Sequence, residues 1–309
     1  MQNINHTFVI HSCSEDLNLL QTVLQSVPVK VFDTQLAAAF LGLGFSLSYQ
    51  SLVKECLGIE VAKDETRSDW LRRPLTATQI AYAASDVRYL LEIQDLLQIQ
   101  LINRGMLSWF EQECTYQLTF AFEFEQEKNW ETLYAGVSNA WRLNDEGLKL
   151  LQSLCYWRER EARLRNKPRS WIAKDNDLMV IAKQCSLIGE ISLSALMSID
   201  FIDRKFVNRY GVELVQVLTA GAPNLVDVDR ELVNNPISVS SRKKLKACQE
   251  VIRIKAEELR MAPELLGRKK QLLELIRKFE KFGEVNWSAE MSGWRRHLLE
   301  PEFNRILAN

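Results

Sequence analysis

The feature that most constrains this chain is a change of pattern near residue 42. Residues 6–11 (HTFVIH) and 29–34 (VKVFDT) are short β-rich runs, and a segment with helical spacing follows each of them, at 13–26 and up to Gly42. This alternation of strand and helix predicts an α/β layer. From residue 46 onward almost every segment has helical spacing, so we expect a chain that is mostly α overall.

Two capping patterns mark helix starts within the first hundred residues. Ser12-x-x-Glu15 and Thr76-x-x-Gln79 each place a hydroxyl three residues before a Glu or Gln, as a capping box does. Apolar residues then continue with helical spacing after Thr76. We therefore predict one long helix from Thr76 to about residue 102.

Charge and proline positions predict three domains. Residues 111–131 contain six Glu and one Lys, and this acidic stretch with the polar segment after it predicts a domain connection. A second polar connection contains Pro223 and Pro236. The predicted domains are 1–135, 147–222 and 237–309.

Composition excludes several classes of protein. The formal net charge is −1, which argues against a globally basic nucleic-acid binder but leaves locally basic surfaces open. No two of the six cysteines have CxxC spacing, so zinc fingers are disfavoured and a reduced compartment is expected. The sequence shows no secretory signal and no apolar run of about 20 residues, and we expect a cytoplasmic protein.

The carboxylates are the most informative candidates for chemistry. Asp16 follows a predicted strand in the first turn of a helix, where the helix dipole favours a carboxylate. Asp86 interrupts an apolar helix, and Tyr82 lies one turn earlier on the same face. The pair could hold a metal ion and orient a water, or be a surface hydrogen bond. His11 is either a structural histidine or a supporting residue behind the site.

Several segments together resemble one family. IHSCSEDLNLL, FDTQLAAAFLG and ETRSDWLRRPLTATQIAYAASDVRYLL occur in the order found in ribonuclease D, a family of DEDD-type 3′–5′ exoribonucleases. The resemblance implies a ribonuclease H-like α/β exonuclease domain. Residues 147–222 resemble its helicase-and-ribonuclease-D C-terminal (HRDC) domain, and 237–309 resemble a second, divergent copy. It also implies trimming of RNA 3′ ends such as those of tRNA precursors.

The resemblance also implies a mechanism and roles for residues. The family hydrolyses phosphodiesters with two divalent cations, Mg²⁺ or Mn²⁺, held by four acidic residues. By resemblance, Asp16 is the acid of the second motif and Asp86 the acid of the third. Tyr82 is the residue that positions the attacking water, whereas Asp33 matches a structural position.

The first motif of the family, Asp-Thr-Glu, has no match before Asp16. We therefore expect that the chain lacks the N-terminal part of the nuclease domain and that its catalysis is impaired. Three hypotheses stay open: an exoribonuclease of the family type, a non-catalytic RNA-binding protein, and a truncated gene product or misassigned start codon. In the last case the missing segment, if encoded separately, would be a partner.

A basic stretch in the second domain is the candidate nucleic-acid surface. Cations alternate there with Trp157 and Trp171, which suits contacts to phosphates and unpaired bases. The competing interpretation is that Trp157 belongs to the core and that Glu159 and Glu161 pair with arginines. The candidate RNA contacts are Arg158, Arg160, Arg163, Arg165, Lys167 and Arg169.

Overall fold

The computed structural model describes residues 6–24, 28–61, 65, 68–124, 127–188, 191–200, 202–221, 225–233 and 235–308. The end of the predicted helix at 13–26 and Pro223 lie outside these residues. The chain divides into two compact units. Unit 1 comprises Met1–Glu123 with Ile237–Asn309, and unit 2 comprises Phe124–Pro236. The predicted α/β start followed by helices is confirmed, and the chain is mostly helical.

The regular elements follow one another in chain order. Those that begin in the first part of unit 1 are β1 (Thr7–Ile10), α1 (Ser14–Leu24), β2 (Lys30–Asp33), α2 (Thr34–Phe40), α3 (Tyr49–Leu57), α4 (Ala77–Arg88), α5 (Leu90–Asn103) and α6 (Leu107–Phe124). Unit 2 contains α7 (Asp145–Leu164), α8 (Arg169–Ile172), α9 (Asp175–Cys185), α10 (Leu193–Ser198) and α11 (Arg204–Ala220). Unit 1 resumes with α12 (Val239–Leu259), α13 (Pro263–Leu266), α14 (Lys269–Phe282) and α15 (Trp294–Ala308).

The sheet that the described residues form is a parallel pair, β1 with β2. Its register runs from Thr7 opposite Lys30 to Ile10 opposite Asp33. Parallel strands need a crossover connection, and α1 supplies it. Because the strands are parallel, their carboxyl ends lie at the same edge, next to the starts of α1 and α2.

The Asp33 carboxylate links the ends of the two strands through hydrogen bonds. Its Oδ1 accepts the backbone N–H groups of Ser12 (3.0 Å), Gln35 (2.9 Å) and Leu36 (3.2 Å), and its Oδ2 accepts that of Cys13 (3.0 Å). The side chain is buried, so these bonds satisfy it within the protein. Asp33 is thus an N-cap and a crosslink, the structural position that the resemblance implied.

The capping pattern at Ser12 is not realised. Ser12 has a φ of 64°, its backbone N–H is bound by Asp33, and the helix begins two residues later at Ser14. The tertiary bond to Asp33 therefore replaces the predicted local cap. At Thr76 the capping box is present, with hydrogen bonds to and from Gln79.

The single long helix predicted from Thr76 to about residue 102 is wrong. The chain forms α4 and α5, separated at Tyr89. The Tyr89 backbone N–H donates to the Tyr49 hydroxyl oxygen (3.1 Å), and that hydroxyl donates to the Ser85 carbonyl (3.0 Å). Tyr49 on α3 thus binds one backbone group within α4 and the N–H of the residue at the break.

Residues 237–309 share one hydrophobic core with residues 1–123. Leu266 of α13 and Phe303 of α15 lie in the same buried cluster as Phe40, Leu97 and Phe110. The structure therefore groups helices α12–α15 with the nuclease part, although the sequence predicts a separate domain. The HRDC-like character of 237–309 and the three predicted boundaries stay predictions.

A close approach of backbones supports this grouping. A Cβ atom on Gly42 would lie 2.4 Å from the Arg260 carbonyl oxygen, so only glycine fits there. Nearby, the Ala262 backbone N–H donates to the Ala39 carbonyl at 2.9 Å. The Arg104 guanidinium also donates to the Arg260 carbonyl at 2.8 Å.

Unit 2 has its own core, built around α7. Leu148, Leu151 and Leu154 are fully buried there, and Trp157 packs edge-on against Tyr210. The interpretation that Trp157 belongs to the helical core is thus confirmed. None of the helices in the described ranges is long and apolar enough to cross a bilayer.

Candidate active site and nucleic-acid surface

Asp16 lies where the sequence predicts it, in the first turn of α1 just after β1. Its side chain reaches solvent. Partial burial raises the pKa of its carboxyl, and the negative charges of Glu15 and Asp33 raise it further. A carboxylate that is partly desolvated and repelled by neighbours is stabilised when a cation binds it.

Asp86 and Tyr82 lie one turn apart on α4, as the sequence predicts. Burial raises the pKa of the Asp86 carboxyl. The Tyr82 ring lies 5.9 Å from the Trp70 ring, centroid to centroid. This contact joins the SDWLRR segment to the face of α4 that carries Tyr82.

A series of contacts links the end of β1 to α4. The His11 ring lies 5.7 Å from the Tyr49 ring, and Tyr49 binds backbone groups on both sides of Asp86. The charge of Asp86 also contributes to a raised pKa for the Tyr49 hydroxyl, after the larger effect of burial. Asp16 follows His11 by five residues, so the contacts through Tyr49 connect the segments that carry the two aspartates.

His11 has a structural role. Its Nε2–H donates to the Leu47 carbonyl (2.9 Å), and in that tautomer its Nδ1 accepts from the Thr34 hydroxyl (3.0 Å). Desolvation lowers the pKa of the imidazole, which favours the neutral ring. With both nitrogens bound inside unit 1, the structural interpretation of His11 is confirmed.

A cavity of about 520 Å³ lies elsewhere in unit 1. Side chains of α1, α2, α6 and α14 line it, among them Ser14, Gln35, Gln117 and Gln271. None of the three predicted catalytic residues, Asp16, Tyr82 and Asp86, is among its lining residues. The cavity therefore does not mark the candidate catalytic site.

Of the candidate RNA contacts in unit 2, Arg158 is buried. Its side chain is 8% exposed, and its Nη1 donates to the Asp175 carboxylate (2.6 Å) and the Ala173 carbonyl (3.2 Å). An arginine held inside the protein by these bonds does not reach a phosphate. The prediction of Arg158 as an RNA contact is therefore corrected to a structural role.

Three further candidates are held by carboxylates on α7. Glu159 binds Arg163 at 3.0 Å and Arg169 at 3.4 Å, and Glu161 binds Arg165. The interpretation that Glu159 and Glu161 pair with arginines is thus confirmed. These arginines keep part of their guanidinium surface exposed, so their charge is reduced rather than removed.

The two remaining candidates, Arg160 and Lys167, are exposed. Neither has a carboxylate partner within the part of the chain that the structure describes. The Lys167 ammonium lies 5.6 Å from the centre of the Trp171 ring. Arg160 and Lys167 are therefore the cations of this stretch most available to a ligand.

Comparisons with known proteins identify the family. Residues 1–102 match the 3′–5′ exonuclease family, and residues 147–218 match the HRDC domain. A ribonuclease D of Pseudomonas paraeruginosa is 35% identical over 288 residues, which is 93% of this chain and 74% of that protein. The chain belongs to the ribonuclease D family. A ribonuclease D of Xanthomonas oryzae is 32% identical and covers 97% of this chain.

A solved structure agrees with this assignment. The crystal structure of Escherichia coli RNase D, an exoribonuclease involved in structured RNA processing, superposes with a TM-score of 0.80 at 29% identity. The match covers 97% of this chain and 79% of that one. The predicted fold and enzyme class, a hydrolytic 3′–5′ exoribonuclease, are thus confirmed. None of these comparisons supports the expectation that an N-terminal part is missing.

Membership of this exonuclease family implies use of a divalent metal ion. The carboxylates of Asp16 and Asp86 are oxygen ligands of the kind that a hard cation prefers. Within the described ranges, however, no group of three or more His, Cys, Asp or Glu side chains could hold a metal ion. The residues present fit part of a metal site and do not by themselves fit a pair of cations.

Proposed function

We propose that this chain shortens RNA from its 3′ end and that Asp16, Asp86 and Tyr82 form its catalytic group. The observation that carries the proposal is the contact series through Tyr49. It connects the α4 segment bearing Tyr82 and Asp86 to the strand end that precedes Asp16. The proposed substrates are structured RNAs such as tRNA precursors, because the Escherichia coli relative is an exoribonuclease of structured RNA.

In this proposal each residue has one task. The ionised carboxylates of Asp16 and Asp86 are ligands for Mg²⁺ or Mn²⁺, and the Tyr82 hydroxyl orients the attacking water. When bound, the divalent ion polarises the scissile phosphate and makes the water a stronger nucleophile. The partial desolvation of both carboxylates favours cation binding over hydration.

The decisive experiment incubates the full chain with a 3′-tailed RNA and Mg²⁺ or Mn²⁺. We expect Asp86→Asn to lower the hydrolysis rate by about 10²-fold or more, and Tyr82→Phe by about 10-fold to 10²-fold. Degradation that needs no divalent ion, or that survives Asp86→Ala, contradicts the proposal. Asp95→Asn, at an exposed position on α5, is the matched control and should keep the wild-type rate.

A second candidate function is RNA binding without hydrolysis. The observation in its favour is that no cluster of three metal-ligating side chains occurs in the described ranges. Two carboxylates facing two divalent ions leave about two positive charges uncompensated, and loss of one ion costs about 10²–10³ in rate. RNA binding that falls steeply with salt, with no hydrolysis by the wild-type chain, would favour this candidate.

For both candidates we propose that unit 2 contacts RNA through Arg160 and Lys167. Arg163, Arg165 and Arg169 contribute the part of their charge that Glu159 and Glu161 leave uncompensated. Phosphate neutralisation by such cations releases counterions, so binding should weaken as salt rises. The match of 147–218 to the HRDC domain supports the assignment of RNA binding to this unit.

A further inference from the structure

Trp171 presents a large aromatic surface to solvent. The residue is 71% exposed, whereas Trp157 of the same unit is buried in the core. Tryptophan is usually well buried, because its large ring gains much from leaving water. The solvent exposure of the Trp171 indole therefore requires an explanation.

The backbone around Trp171 is fixed by local hydrogen bonds. Asn166 turns the chain after α7 with a φ of 50°, and the Lys167 N–H then donates to the Ala162 carbonyl at 2.9 Å. Helix α8 is a single turn, in which the Trp171 N–H donates to the Pro168 carbonyl at 2.9 Å. The indole thus projects from an ordered turn.

Contacts with buried groups hold this turn against the core of unit 2. Ile172 and Ala173, the two residues after Trp171, are buried, and Arg158 donates to the Ala173 carbonyl at 3.2 Å. Arg169, two residues before Trp171, pairs with buried Glu159 at 3.4 Å. Ile172 and Ala173 face inward, whereas the Trp171 ring faces solvent.

The exposed charged side chains of this stretch are cationic. The Lys167 ammonium lies 5.6 Å from the Trp171 ring centre, and Arg160 of the same stretch is also exposed. The two acidic residues of the stretch 157–174, Glu159 and Glu161, are already paired with arginines. An apolar protein partner would have to cover these cations, whereas an RNA strand offers both a base for the ring and phosphates for the cations.

We propose that Trp171 is a base-stacking platform for an unpaired RNA nucleotide, with Lys167 contacting the adjacent phosphate. The inference rests on the proposed RNA binding of unit 2. It adds that the ligand of this surface is single-stranded and that one residue provides the contact to its bases. Every base has a π-face, so the platform accepts any sequence, and adenine stacks more strongly than uracil.

The test measures binding of a fluorescein-labelled oligo(A) of about 12 nucleotides to the full chain, in EDTA and from 50 to 200 mM salt. We expect Trp171→Ala to weaken binding about 5-fold or more at every salt concentration, with the salt slope unchanged. Trp171→Phe should retain most of the affinity. Lys167→Ala should instead reduce the magnitude of the logarithmic salt slope by about 0.7.

Val212→Ala is the matched control, because Val212 is another strongly exposed apolar residue of unit 2, on α11. It should bind oligo(A) as the wild type does, and circular dichroism should show all variants folded. Equal affinities for wild type and Trp171→Ala overturn the stacking proposal. So does a wild-type chain that does not bind oligo(A), whereas hydrolysis of 3′-tailed RNA separately decides the proposed activity.

Discussion

At the scale of single residues, Asp33 shows how one carboxylate can organise a strand edge. Its bonds to the N–H groups of four residues join the starts of α1 and α2. Asp33→Ala would leave buried donors unsatisfied and remove an N-cap. We expect it to lower the free energy of unfolding by about 3 kcal/mol, and Asp33→Asn by about 1–2 kcal/mol. Urea denaturation measures both values, and equal stabilities for the three proteins would contradict the crosslink.

His11 should make stability depend on pH. Burial lowers its pKa below the ordinary 6.5, so below that pH the unfolded chain takes up a proton that the folded chain does not. The contribution of His11 is present above pH 6.5 and is lost as pH falls. We expect the urea midpoint of the wild type to decrease from pH 7.5 to 5.5, and His11→Gln to lessen that decrease. His6→Gln, at an exposed position, should follow the wild type.

Residue positions were predictable to different degrees. The sequence placed Asp16, Tyr82 and Asp86 on helices correctly, because helical spacing is a local pattern. It could not reveal Tyr49, whose hydroxyl contacts residues 36 and 40 positions away. It also gave no sign that Arg158 is buried, because a count of basic residues does not show which side of a helix faces the core.

At the scale of elements, the break between α4 and α5 shows why local patterns overestimate helix length. Apolar spacing continues through Tyr89, and nothing in residues 76–102 favours a helix end there. The break coincides with a bond from a side chain on α3. In contrast, the start of α4 was predictable because the two residues of its capping box, Thr76 and Gln79, lie within one turn of the helix.

The pairing of α6 with α15 gives a prediction about stability. Glu113 binds Arg295 through two hydrogen bonds and accepts the Trp294 indole N–H at 3.0 Å. The Arg295 side chain is 8% exposed, so Glu113→Ala would leave a buried cation unpaired. We expect a loss of about 3–5 kcal/mol in the free energy of unfolding, measured by urea denaturation. Arg253→Ala, the control, breaks exposed ion pairs on α12 and should lower the free energy of unfolding by about 0.5 kcal/mol or less. A similar loss of stability in both variants would contradict this account.

At the scale of the whole molecule, charge and proline patterns point to connections, whereas the grouping of helices depends on tertiary contacts. The second polar connection falls next to the change of unit at Pro236, and the acidic stretch spans the change at Phe124. Which helices then share a core depends on contacts between residues more than 150 positions apart, such as Arg104 with Arg260. Charge and proline patterns contain no information about such contacts.

The two units should differ when they are produced as fragments. Residues 124–236 are contiguous and enclose their own core, so we expect this fragment to show helical circular dichroism and a cooperative thermal transition. Residues 1–123 alone lose the side chains of α12–α15 that complete their core. We expect that fragment to be unfolded or aggregated, and to regain structure when 237–309 is co-expressed. A cooperatively folded 1–123 fragment would contradict the shared core.

Unit 1 is built from two stretches of sequence that lie far apart in the chain. Its core can therefore be completed only late in translation. After residue 123 is synthesised, 185 more residues are translated before the helix ending at Ala308 is complete, which takes about 10–40 s at typical rates. Throughout that interval the nascent first segment exposes apolar side chains that only the final helices cover. Unit 2 can fold meanwhile, so chaperones that shield emerging chains should matter most for the nuclease part.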